Sequence, residues 1–243
     1  MSEVLEHAVT AYRRNFKLVS FFSLPLLVAF SLALFLPNYV ALSSAFLRFK
    51  SVASSLSPVD AVVTIAAFLV SLFLFSFGVA AINTIVRSQR TLTRLAHDEA
   101  ERVENSTYKI FLVFLTVFAV AFAVNMLLYY FPSPVARPLA ALLTLAVYGA
   151  VLFAPQAIVL EDLGARQAVA RSISTIRRRF DGFVFVLAFA ALLLIAGTQL
   201  FLWLEPALGG WARILSLALN ALVILPFFEV LKTQVYLTKY SLL

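Results

Sequence analysis

Cysteine is missing from this chain of 243 residues, so disulfides, thiolate metal sites and cysteine nucleophiles are excluded at the outset. Histidine is nearly missing too. His7 and His97 lie far apart, and neither has a second ligand at metal spacing, so no metal and no cofactor are expected. The seven glycines form no Gly-rich phosphate loop, Walker pattern or Gly-x-Ser-x-Gly elbow. They are also too few for close Gly-x-x-x-Gly crossings to be the general packing mode. Charge is scarce: Asp, Glu, Lys and Arg make up 13% of the residues, against about a quarter in soluble domains.

What is present is apolar. Hydrophobic residues are 63% of the chain and its mean hydropathy is +0.98. A soluble fold of this length cannot bury that much apolar surface, because surface grows too slowly relative to volume. Lipid as the solvent removes the difficulty. The sequence therefore predicts an all-α, polytopic helical membrane protein. The net charge of +7 is then first a topology signal. There is no soluble basic domain to carry nucleic acid, and no nucleic-acid partner is expected. The start, MSEVLEHAVTAYRRNF, is mixed in charge and amphipathic, unlike a cleaved signal, so the first apolar segment is expected to stay.

A helix needs about twenty apolar residues to span the hydrocarbon core. Six segments qualify: Leu18 to Leu36, Ala61 to Val86, Ile110 to Tyr130, Leu139 to Leu160, Phe183 to Leu204, and Ile214 to Leu231. None has Lys or Arg near its middle. Cations collect on one side of this arrangement: Arg13, Arg14 and Lys17; Arg87, Arg90, Arg94, Arg102 and Lys109; Arg166, Arg171, Arg177, Arg178 and Arg179; Lys232 and Lys239. The other side holds only Arg48, Lys50, Arg137 and Arg213. Positive-inside bias then predicts a multi-pass protein of the plasma membrane with both termini cytoplasmic. The glycosylation pattern Asn105-Ser106-Thr107 falls on the inner side and is read as chance. Pro37 to Pro58 is expected along the outer interface, Pro132 to Pro134 and Glu205 to Trp211 as short outer turns, and Tyr129, Tyr130, Trp203 and Trp211 at the outer boundary.

Two stretches repeat. His7 to Phe16 (HAVTAYRRNF) aligns without gaps on Arg171 to Phe180 (RSISTIRRRF), and Ile85 to Arg94 (IVRSQRTLTR) on Val230 to Lys239 (VLKTQVYLTK). The first pair predicts two basic amphipathic interfacial helices, with stripes Leu5, Val9, Tyr12, Phe16 and Val169, Ile173, Ile176, Phe180. The organisation expected is one membrane domain, with residues 1–96 and 163–243 as partial parallel repeats around a third-to-fourth-span hairpin at 97–162. The apolar stripe of Asp98 to Tyr108 does not match the other two helices, so a three-fold repeat is poorly supported.

From Ala154 to Phe180 the chain leaves an apolar run, passes Glu161-Asp162 and enters a basic helix. Within it, a proline near the end of a span, the exit Ile-Val-Leu-Glu161-Asp162, and then Ala168-Val169-Ala170-Arg171-Ser172 form a pattern under thirty residues long. This pattern resembles the glycerophosphodiester phosphodiesterase membrane-domain and YciC-like family, with its related six-span archaeal proteins of unknown function. The resemblance implies a polytopic membrane module, fused in some relatives to a soluble phosphodiesterase. No such domain has room here, so the enzymatic activity is not carried over.

Among candidate sites, Glu229 stands near the inner end of the last span in LPFFEVL, where an ionisable group is functional by default. Its structural alternative is an ion pair with Lys232, Arg87 or Arg90. Pro25, Pro155 and Pro226 all fall in the inner parts of spans, and each frees the carbonyl four residues earlier. They frame an inner vestibule, or are only the prolines common in membrane helices. Asn83, Asn125, Gln156, Gln199 and Asn220 either line a pathway or bond between helices. Glu161 and Asp162 are expected as the acidic entry to the basic helix, with a salt link to Arg166 or Arg171. Arg13, Arg14, Arg171, Arg177, Arg178 and Arg179 are the expected contacts to anionic headgroups or a partner. The reading that follows is a non-catalytic module acting through lipids, a membrane-protein partner or a second copy. A transporter or oligomeric channel built around Glu229 is the alternative.

Overall fold

The computed structural model describes residues 2–35, 39–40, 46–47, 58–91, 97–130 and 135–238. Among these the elements are helical, apart from one antiparallel pairing of Tyr39–Val40 with Phe46–Leu47. The helices are α1 (Ser2–Arg14), α2 (Phe16–Phe22), α3 (Leu24–Phe35), α4 (Pro58–Thr91), α5 (His97–Tyr129), α6 (Ala136–Ala150) and α7 (Ala154–Glu161). After them come α8 (Ala165–Arg178), α9 (Phe180–Leu208), α10 (Trp211–Leu219), a π turn (Asn220–Ile224) and α11 (Leu225–Leu237). The expected outer segment between Pro37 and Pro58 lies largely outside the described residues, as does the turn at Pro132 to Pro134.

Five helices are long and apolar enough to cross a membrane: Val62–Ser88, Ala100–Leu128, Pro138–Glu161, Phe180–Leu208 and Ile214–Leu237. Glu3–Arg14 and Phe16–Leu32 meet the same measure only as a pair, and the chain bends by 77° between them. Two boundaries differ from the sequence expectation. The polar stretch Asp98 to Tyr108 is no separate helix but the first third of α5, because no Gly or Pro interrupts hydrogen bonding before the apolar run. The expected turn from Glu205 to Trp211 shrinks to Gly209-Gly210: α9 continues through Pro206, and Gly209 takes the positive φ of 54° that stops it.

Each of the three singled-out prolines stands second in its helix; for Pro25 and Pro155 the missing N–H falls at a helix start, while Pro226 follows a π turn and leaves the Leu222 carbonyl without its usual donor. Pro25 follows an interruption at Ser23, Pro155 follows one at residues 151–153, and Pro226 follows the π turn. The fourth apolar segment is therefore interrupted at residues 151–153, and the last is one helix with a π turn inside it.

Packing concentrates at one end. Helices α4, α7 and α11 meet there, α1 lies against α11, and α8 lies against α7 and α5. We call this the basic end, since α1 and α8 each finish in a pair of arginines. Further along, α4 and α5 are joined by phenylalanine rings, with Phe75–Phe114 at 5.6 Å and Phe73–Phe111 at 6.1 Å between centroids. The faces of α1 and α8 differ from the expected stripes. Ala8 and Tyr12 are the buried residues of α1, and Ala168, Ser172 and Thr175 those of α8, while Val9, Phe16 and Phe180 are exposed. Mostly small residues of α1 and α8, together with Tyr12, thus turn inward, and part of each apolar stripe stays exposed.

Candidate functional site

At the basic end a polar cluster is buried between three helices. Asn83 comes from α4, Gln156 from α7, and Glu229, Lys232 and Thr233 from α11; each is 5% exposed or less. Glu229 Oε1 pairs with Lys232 Nζ at 2.6 Å, one helical turn away. The second carboxylate oxygen accepts from Gln156 Nε2 at 3.1 Å and from Asn83 Nδ2 at 3.4 Å. The remaining proton on Asn83 Nδ2 goes to the Val79 carbonyl at 2.8 Å, and the remaining one on Gln156 Nε2 to Asn83 Oδ1 at 3.3 Å. The Thr233 hydroxyl reaches both Asn83 Oδ1 and the Glu229 carbonyl. Lys232 Nζ also sits 5.5 Å from the centre of the Phe228 ring. Gln156 Oε1 has no hydrogen-bond partner among the described residues. Burying two charges costs several kcal/mol per ion, offset only when the remaining lone pairs are satisfied. Two carboxamides and a cation do that for Glu229.

A second layer closes this end. The last carbonyls of α7 have no partners within their own helix, and Arg87 Nη1 of α4 donates to one of them, Val159 O. Helix α7 ends where Asp162 adopts φ 53°, the left-handed conformation of a helix C-terminus. Glu161 and Asp162 thus close α7, and Gly164 occupies the N-cap of α8, which corrects the expected acidic entry. Arg171 Nε contacts Glu161 at 2.9 and 3.1 Å, and the Tyr236 hydroxyl donates to the same carboxylate. Asp162 turns the other way, to Lys109 of α5 at 3.2 Å. The expected link from Glu161 to Arg171 forms; Asp162 pairs with Lys109, not with Arg166.

Helices α1 and α8 each reach an irregular turn in an apolar segment. The Tyr12 hydroxyl of α1 points to the Leu222 carbonyl at 3.4 Å, the acceptor that Pro226, four residues later, cannot serve. The Phe153 amide, at the break before α7, donates to Ser172 Oγ of α8 at 3.1 Å. Arg179 Nη1 and Nη2 donate to the Thr238 hydroxyl and carbonyl, both at 3.0 Å, fixing the end of α8 to the end of α11.

The cluster unites Asn83, Gln156 and Glu229, and the layer beside it holds Arg87, Glu161, Asp162 and Arg171. The Arg90 side chain lies outside the described residues. The six expected headgroup contacts divide: Arg13, Arg14, Arg177 and Arg178 are exposed, whereas Arg171 and Arg179 are half-buried and engaged within the protein. Asn125 bonds Thr144 of the neighbouring helix at 2.9 Å, Asn220 bonds Ser216 of its own helix, and Gln199 is exposed. Sequence reasoning did not single out Thr233, Tyr236 or Ser172. Thr233 carried one signal, its alignment with Ser88 in the second repeated stretch. Among the described residues no three His, Asp or Glu side chains come together as a metal site. Compared with known proteins, the chain matches no family model, no curated protein and no solved structure.

Proposed function

We propose that this protein is a non-catalytic integral membrane module whose working surface is the basic end, where it holds anionic lipid headgroups. One observation carries the reading. Arg13 and Arg14, and Arg177 and Arg178, are exposed at the last turn of an interfacial helix, and no carboxylate among the described residues lies within ion-pair distance of them. An exposed phenylalanine follows each pair, Phe16 at 49% and Phe180 at 61%. A guanidinium beside an exposed ring suits the boundary between phosphates and acyl chains. The pairs also fall at the same positions of the two aligned stretches, and each helix breaks at the next residue, Asn15 or Arg179. That coincidence supports the partial parallel repeat. In the same reading the bent pair counts as a sixth span, both termini face the cytoplasm, and the module lies in the plasma membrane. The resemblance at Pro155 to Ser172 to the phosphodiesterase membrane-domain family agrees with a module lacking chemistry of its own. Native mass spectrometry tests the reading: Arg13→Gln/Arg14→Gln/Arg177→Gln/Arg178→Gln is expected to retain fewer phosphatidylglycerol molecules than wild type, with phosphatidylcholine unchanged. Equal phosphatidylglycerol retention overturns it, and an acidic protein lost on mutation would assign the surface to a partner instead.

A second reading has its own observation, the Glu229–Lys232 pair buried between three helices. A transporter or oligomeric channel would use this pair as its ion-coupling group. Flux through reconstituted Glu229→Gln protein decides: an unaltered rate removes the pair from any transport mechanism.

A further inference from the structure

We infer that headgroup binding at α8 sets the state of the helix break before α7, so that the module senses the lipid around it. The inference rests on the lipid reading above and adds what the binding does. Residues 151–153 interrupt the helix between α6 and α7, and the Phe153 amide is buried there. Its acceptor is Ser172 Oγ, itself fully buried on α8. If α8 moves away, that amide has no acceptor in an apolar setting, and the break loosens. Helix α8 is also tied to the bundle by Arg171 on Glu161 at one side and by Arg179 on Thr238 at the other. Arg177 and Arg178 lie between those ties and face outward. A phosphate bound there holds the last turn of α8 at headgroup depth, with Phe180 in the acyl layer. Only the docked position of α8 offers both contacts at once, so lipid favours docking by its difference in affinity for the two positions.

The break leads straight to the polar cluster. Gln156 is three residues beyond Phe153 in a helix whose residues 154–159 are all buried, and its carboxamide holds Glu229. Helix α1 repeats the arrangement on the last apolar segment. Tyr12 reaches Leu222 O within the π turn, and Arg13 and Arg14 are exposed just after it. Each of the two helices therefore joins a pair of outward arginines to one hydrogen bond at one irregular turn, the interruption before α7 or the π turn before α11. Local openings of this kind are seen by amide exchange.

The experiment is hydrogen–deuterium exchange of the full chain in nanodiscs of phosphatidylglycerol or of phosphatidylcholine, with retained lipid counted in parallel. In phosphatidylglycerol the peptide covering residues 151–154 is expected to exchange about tenfold more slowly, the change that one ordinary hydrogen bond implies. Arg177→Gln/Arg178→Gln should exchange in phosphatidylglycerol at the rate wild type shows in phosphatidylcholine. Ser172→Ala should exchange fast in both lipids, with residues 142–146 unchanged as proof that the fold persists. If the double variant loses bound phosphatidylglycerol while residues 151–154 exchange alike in both lipids, the lipid reading stands and the coupling is overturned. If neither retention nor exchange responds, both fall. Slow exchange in Ser172→Ala also overturns the coupling, because Ser172 would then not be what holds the break.

Discussion

Along α4, Val59, Val62, Val63 and Ile65 are 59–70% exposed, whereas residues 78–86 are buried without exception. The last apolar segment shows the same contrast: Trp211, Ile214 and Leu215 of α10 are exposed, and residues 228–237 of α11 are buried. One end of the molecule is thus held by side chains that meet only each other, including a buried ion pair. The other end is apolar helices that a lipid tail covers as well as a neighbour would, because lipid gives no hydrophobic drive between helices. The difference teaches that polar residues, scarce in this chain, were placed where helices must choose one arrangement. The exposed rings of Tyr130, Trp203 and Trp211 at the far end suit a headgroup boundary instead.

The sharpest way to break this contrast is to unpair the buried ions. Glu229→Leu leaves Lys232 without its carboxylate in an apolar setting and should cost about 3–5 kcal/mol in an unfolding titration in mixed micelles. Glu229→Leu with Lys232→Leu should recover most of that loss. A single variant as stable as wild type would mean that the cluster does not hold this end.

Close packing supplies the next effect. A Cβ on Gly78 would stand 2.6 Å from two side-chain atoms of Leu26, which is fully buried. Gly78→Ala should cost about 1–3 kcal/mol, relieved when Leu26→Ala is added. An unrelieved loss would point to the backbone of α4 and away from this contact.

Two arginines on one helix sharpen the comparison further. Arg171→Gln removes the half-buried pair with Glu161 and should cost about 1 kcal/mol. Arg177→Gln, on an exposed position of the same helix, should change stability by less than about 0.5 kcal/mol. Equal losses would mean that α8 is held through its charge as a whole and not through Glu161.

The far end should respond least. Ile65→Ala and Leu142→Ala, both about 60% exposed, should each stay within about 0.5 kcal/mol of wild type in the same titration. A loss of 2 kcal/mol or more at either position would show that the far end carries tertiary packing of its own.

Much of this was legible before any coordinates. Apolar length located the five long helices, and the three prolines marked where helices restart, since a missing N–H is a local property. Glu229 could be singled out, with Lys232 one turn away among the three cations that could pair with it, but the choice of Lys232 could not. Gln156 and Asn83 could be suspected singly, but 73 residues separate them, and no local pattern says that they share one carboxylate. Ser172 is a serine in a basic helix, and only its distance to Phe153 makes it part of a break. The partner of Asp162 could not be read from its neighbours, because Lys109 lies on another helix.

The sequence by itself determined the long apolar helices and their charged ends, because apolar length, the loss of a proline N–H and the spacing of one helical turn act locally. Only the tertiary structure decided that α4, α7 and α11 close around one ion pair, that Arg171 and Arg179 turn inward while Arg177 and Arg178 stay out, and that α8 rests on the interruption before α7 and α1 on the π turn before α11. Those choices depend on which buried donors meet which acceptors across distant segments. A polar group in an apolar medium has to find whichever partner the packing brings within reach.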